Sequence, residues 1–154
     1  MRKNRFAIIF ILIFVVLSNL LSACSASSAF YERWKLKIPD SCFHGRECCV
    51  RIGFDIISVM ECPNVSDSAI APYSFAPINK EAIDAFHEIK STLETCYERE
   101  QTLGKTAIEN IELLVDIEAN LESITYYMVE KDEYTYCLLL LDSFRDTLYI
   151  CESY

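Results

Sequence analysis

The chain has 154 residues, 52% of them hydrophobic and 24% charged, with 3 glycines and 4 prolines. This composition excludes collagen-like, glycine-rich and intrinsically disordered classes and predicts one ordinary domain, mostly helical because helix breakers are so few. A net charge of −9 argues against nucleic acid as a partner, and 8 cysteines in so short a chain argue against a reducing cytosol unless they bind metal or do redox chemistry.

Residues 1–23 place Arg2, Lys3 and Arg5 before an uncharged apolar run from Phe6 to Leu17. A basic segment followed by an apolar run too short for a comfortable membrane span is the pattern of a secretory signal. The stretch Leu21-Ser22-Ala23-Cys24 resembles the lipobox of bacterial lipoproteins, in which small residues fit the signal peptidase and the cysteine takes a diacylglycerol. The resemblance implies that Cys24 is the lipidated N-terminus of an exported, envelope-anchored protein. The alternative is an ordinary signal cut after Ala23, Ala26 or Ala29, giving a secreted protein of a eukaryote. Asn64-Val65-Ser66 would then be its glycosylation sequon.

Residues 24–154 keep 11 Lys and Arg against 23 Asp and Glu, a net charge of −12. Residues 24–41 read as a tether, in which Tyr31, Arg33, Trp34 and Lys35 interleave aromatics with cations as a segment lying on anionic headgroups would. The remainder, 42–154, reads as an acidic domain.

Four helices are predicted for that domain. Glu47–Glu61 is ambiguous: Val50, Ile52, Phe54 and Ile56 alternate as in a strand, whereas Cys49, Ile52, Ile56 and Val59 recur as in a helix. No other segment reads as β, and a lone strand would leave backbone groups unsatisfied, so helix is the expectation. Residues 63–78, with Pro63, Pro72 and Pro77, read as a long loop. Asn79 is a candidate N-cap for a helix striped by Ala82, Phe86, Ile89, Leu93, Cys96 and Leu103 and stopped at Gly104. Thr106 and Glu109 have capping-box spacing and open a helix bearing Ala107, Ile111, Leu114, Leu121, Ile124 and Met128. The last helix, Glu133–Glu152, spaces Tyr134, Cys137, Leu141, Phe144, Leu148 and Cys151 by alternating steps of 3 and 4.

The expected fold is therefore all-α, a disulfide-stapled four-helix up-down bundle after a signal peptide. Cys48 and Cys62 are 14 residues apart, as are Cys137 and Cys151, so two antiparallel helices could be stapled at both ends. Level-matching predicts Cys62–Cys137 plus two bridges among Cys48, Cys49, Cys96 and Cys151, with Cys48–Cys151 and Cys49–Cys96 preferred. Cys42 is left over, or pairs with Cys24 if that residue is not lipidated.

No catalytic set, metal site or cofactor is expected. Cys42, His44, Cys48 and Cys49 do not match zinc spacings. His87, with Asp84 and Ser91 near the same helix face, lacks a nucleophile. The carboxylates Glu109, Glu112, Asp116, Glu118 and Glu122 read as a solvated face. The sharper feature is the cluster Tyr126, Tyr127, Glu130, Asp132, Glu133 and Tyr134, a composition suited to docking a cationic protein. Binding without catalysis is the expected function, with an immunity or inhibitor protein as its most concrete form in the envelope. A secreted helical ligand or inhibitor of an extracellular enzyme is the alternative, and the partner is a protein in either case.

Overall fold

The computed structural model describes residues 26–99, 105–132 and 134–154, which fall into two compact units, one ending at Lys37 and one spanning Ile38–Tyr154. In the first, helix α1 covers Ala26–Trp34, so the stretch expected to be a plain tether contains regular structure. The helix ends where Lys35 takes φ 60, with its N–H donating to the Tyr31 carbonyl at 2.7 Å. Its ammonium reaches Glu32 at 3.1 Å and lies 5.4 Å from the centre of the Tyr31 ring.

The second unit overturns the all-α reading. A single-turn 3-10 helix, Asp40–His44, leads into a hairpin of β1 (Glu47–Ile52) and β2 (Asp55–Cys62). A one-turn α2 (Asp67–Ile70) and a two-residue β3 (Ala76–Pro77) precede the long helices α3 (Lys80–Arg99) and α4 (Lys105–Asn120). The chain closes with β4 (Thr125–Asp132), β5 (Thr135–Asp142) and β6 (Thr147–Ser153). The strands form one six-stranded sheet in the order β1-β2-β6-β5-β4-β3, every neighbouring pair antiparallel.

Both long helices pack on the same face of this sheet. In register across it lie Cys48, Val59, Cys151, Leu138 and Met128, one residue from each of five strands. Against these pack Ala82, Phe86, Ile89 and Leu93 of α3 and Leu113, Leu114 and Ile117 of α4, all buried. The α3 prediction was close: Asn79 caps the helix by accepting the Ala82 N–H on its Oδ1 at 2.9 Å. The α4 prediction ran too long, because the helix ends at Asn120 and Ile124 and Met128 belong to the approach to β4 and to β4 itself. Gly104 lies outside the described residues, as do the side chains of Thr106, Ala107 and Glu109.

The two remaining predicted helices are hairpins. In the first, Gly53 takes φ 66 at the turn between β1 and β2. In the second, the 3,4 spacing between Tyr134 and Cys151 is a coincidence of two strands. Every residue from Tyr136 to Asp142 is buried, which is the mark of a strand covered on both faces, while Phe144 sits in the turn 89% exposed. Gly45 fixes where the first hairpin can begin. A Cβ there would stand 1.7 Å from the Glu61 carbonyl oxygen, so only glycine lets the chain pass β2 at that point.

The cysteine pairing changes with the fold. Cys42 is bonded to Cys62, so the predicted Cys62–Cys137 bridge is not formed. Cys48 and Cys151 share a face but flank Val59 in register, two strand spacings or about 9.5 Å apart, beyond the reach of a disulfide. Cys49 and Cys48 alternate across the sheet, which puts Cys49 on the face away from α3 and Cys96. Cys48, Cys49, Cys96 and Cys151 are free thiols. Burial pushes the Cys48 thiol up to about 11 and raises Cys151 as well, so both are un-ionised near neutral pH.

Candidate functional site

The outer edge of β4 is where the sheet runs out of partners. β3 covers only its start, with Ala76 opposite Tyr126 and Pro77 opposite Thr125. Pro77 has no N–H to donate, and before Ala76 the chain peels away from the sheet. Tyr73 and Phe75 hold that departing segment through the Tyr127 ring, at centroid distances of 5.3 and 6.3 Å. From Met128 to Asp132 no described strand pairs with the outer edge, and alternate residues there turn N–H and C=O outward.

The departure opens a groove of about 290 Å³ lined by Ser74, Ala76, Tyr126, Tyr127, Met128 and Glu130. Tyr126 and Met128 pack toward the helices, strand alternation places Glu130 on that same face, and Tyr127 is on the other. Glu130 lies opposite Tyr136, whose hydroxyl donates to the Ala85 carbonyl of α3 at 3.0 Å. Burial raises the Tyr136 pKa, and the negative charge of Glu88 on α3 raises it further. Past Glu130 a bulge shifts the β4–β5 register. At the hairpin Asp132 is held below the usual carboxylate range by hydrogen bonds from the Thr135 side chain and from the Tyr134 N–H, the latter 3.0 Å long. The outcome is a groove of mixed polar and apolar lining beside the outer edge of β4, with a carboxylate at one end.

Of the interface residues expected from sequence, Tyr126, Tyr127 and Glu130 line this groove, and Asp132 and Tyr134 stand at the adjoining hairpin. Glu133 and Cys24 lie outside the described residues. Ser74, Ala76 and Met128 were missed. The signal for the first two was the run Pro72-Tyr73-Ser74-Phe75-Ala76-Pro77, which is too proline-bound for a helix and too aromatic for an idle loop.

The other candidates fall elsewhere. His87 pairs across the helices with Glu118 at 3.5 Å, and Lys90 reaches the same carboxylate at 2.8 Å. The Lys90 hydrogen bond, seconded by the Lys90 charge, holds Glu118 below the usual range. His44 follows the disulfide-bonded Cys42, and among the described residues no group of three or more His, Cys, Asp or Glu is placed to hold a metal ion. Asn64 is exposed with φ 56, in the turn after β2. On the sheet face away from α3 and α4, buried Ser58 donates from Oγ to Oε2 of buried Glu152 at 3.3 Å, in a row that includes Cys49 and Cys137. Among the described residues no helix is long and apolar enough to cross a membrane.

Compared with known protein families, curated proteins and solved structures, the chain matches none.

Proposed function

We propose that this chain is an exported, envelope-anchored protein-binding module that holds a cationic protein partner and performs no chemistry of its own, an inhibitor or immunity protein being its concrete form. The observation that carries the reading is the groove beside β4. It joins an open strand edge to aromatic side chains and a carboxylate, on a chain whose residues 24–154 have a net charge of −12. The anchor rests on the Leu21-Ser22-Ala23-Cys24 stretch and the apolar segment before it.

The test places a photo-crosslinking amino acid at Ser74, in the groove, and at Val115, on the exposed face of α4, in the native host. A discrete protein adduct is expected at position 74 and absent at 115. Equal adducts at both positions, or none at 74, would overturn the reading. The intact mass of the mature protein checks the anchor. A species beginning at Cys24 and heavier by acyl chains is expected, whereas an unlipidated start near Ala26 or Phe30 would make the protein a secreted one.

A further inference from the structure

We infer that the β4 edge takes up an extended segment of the partner as an added strand, antiparallel to β4 along Met128–Asp132, with a lysine or arginine of that segment opposite Glu130. The inference rests on the protein-binding reading above and specifies how the groove is filled.

The line and direction of the added strand are already marked in the sheet. β3 lies along this edge antiparallel to β4 with Ala76 opposite Tyr126. Continuing that register would put Ser74 opposite Met128, but the chain leaves the edge before reaching it, and the groove occupies the place. An incoming strand on the same line meets outward N–H and C=O groups without displacing any described strand, which is the geometry of strand addition.

Strand alternation then defines the ligand. Its residue opposite Met128 faces the helix side and meets Tyr126 and Met128, so it is apolar; two positions earlier, on the same face, its residue opposite Glu130 meets a carboxylate. The residue opposite Val129 faces the other side and meets that apolar side chain. The segment therefore reads, from its N-terminus, cation, apolar, apolar, and the position before the cation falls beside Lys131 and is uncharged. A second copy of this chain is a poor occupant, because each copy carries −12 over residues 24–154 and each edge ends in Glu130 and Asp132. The bulge between these two residues and the charges around it are also devices that discourage self-pairing of edges.

The probe is the synthetic peptide acetyl-Ser-Arg-Val-Leu-amide, titrated into isotope-labelled mature protein isolated in detergent, with acetyl-Ser-Glu-Val-Leu-amide as its charge-reversed control. Saturable shifts of the backbone amides of Ala76 and of Met128–Asp132 are expected. The affinity should fall with added salt, and should be roughly tenfold lower for the acidic peptide and for Glu130→Lys. Shifts centred elsewhere, no saturable shift, equal binding of both peptides, or a concentration-dependent dimer of the peptide-free protein would each overturn strand addition. Glu130 is exposed at the end of the strand, so the variant's amide spectrum away from β4 reports directly whether it is folded. The two readings fail separately. If the peptide does not bind while the adduct at position 74 persists, the partner uses the groove in another way; if the adduct is also missing, the protein-binding reading falls with it.

Discussion

At one side of the sheet, β1 enters through a dense set of ties. The guanidinium of Arg46 grips Glu61 of β2 through two hydrogen bonds, of 2.6 and 2.9 Å, and also reaches Asp116 of α4 at 3.4 Å. The Tyr97 hydroxyl of α3 donates to the Cys49 carbonyl at 3.3 Å, and the Cys42–Cys62 bond closes the path just ahead of the strand. At the opposite side, β4 has a two-residue neighbour, a groove and a bulge. Charge at the β1 entry is consumed within the fold, whereas carboxylate at the β4 end faces outward. The two sides of one sheet thus differ: β1 is tied to β2 and both long helices, whereas β4 has beside it only the two residues of β3.

Removing the covalent tie should produce the largest effect. Converting Cys42 and Cys62 together to serine frees a loop spanning 20 residues of sequence separation, and the chain-entropy cost is about 3 kcal/mol. Urea unfolding should show that loss as a lower midpoint with a slope equal to or steeper than the parent's, since the uncrosslinked denatured chain exposes more surface, and an unchanged midpoint would show that the bond is incidental to the β1 side. Arg46→Met comes next. It leaves the partly buried Glu61 without a two-pronged partner, and because the arginine is itself 42% exposed, solvent screening limits the loss to about 1 kcal/mol. The same measurement on Glu130→Lys should move stability by less than about 0.5 kcal/mol, since that side chain is exposed at the strand's end. Were Glu130→Lys to cost as much as Arg46→Met, the contrast between the edges would collapse.

The same contrast explains what could be read from the chain alone. α3 was legible because a polar face and a capping asparagine accompany its apolar stripe, so the helical period is the only pattern present. β5 was illegible because Leu138, Leu139, Leu140 and Leu141 are apolar on both faces, and a strand buried on both sides has no alternation to detect. Reading β5 and β6 as a helix then removed the neighbour that β2 pairs with, so the alternation of Val50, Ile52, Phe54 and Ile56 was set aside for want of a partner. One misreading sustained the other. The polar run Asp142-Ser143-Phe144-Arg145-Asp146 was the available correction, since Asp142 caps that turn through Phe144 and Asp146 takes φ 48. At the candidate site, composition was enough to single out Tyr126, Tyr127 and Glu130. The groove that brings them together depends on long-range pairing, which no local pattern encodes.

The smallest expected effect separates two carboxylates by sign. Glu47, at the start of β1, is raised above its ordinary 4.5, first by burial and then by the charge of Glu152. Its proton is held more tightly in the folded state, so its contribution to stability is fully present below pH 4.5 and is lost as the pH rises through the raised value. Glu118 is lowered from 4.5 chiefly by Lys90, so it stabilises above that pH and the benefit is lost as the pH falls through its depressed value. Glu47→Gln should therefore raise the melting temperature at pH 7 and leave it unchanged near pH 3.5, while Glu118→Gln should lower it at pH 7 with the difference fading in acid. Solvent screening keeps each effect to roughly 0.5 kcal/mol or less. A Glu47→Gln protein less stable than the parent at pH 7 would mean that this carboxylate is one more tie of β1, and the edge would then be held by its acid as well as by Arg46.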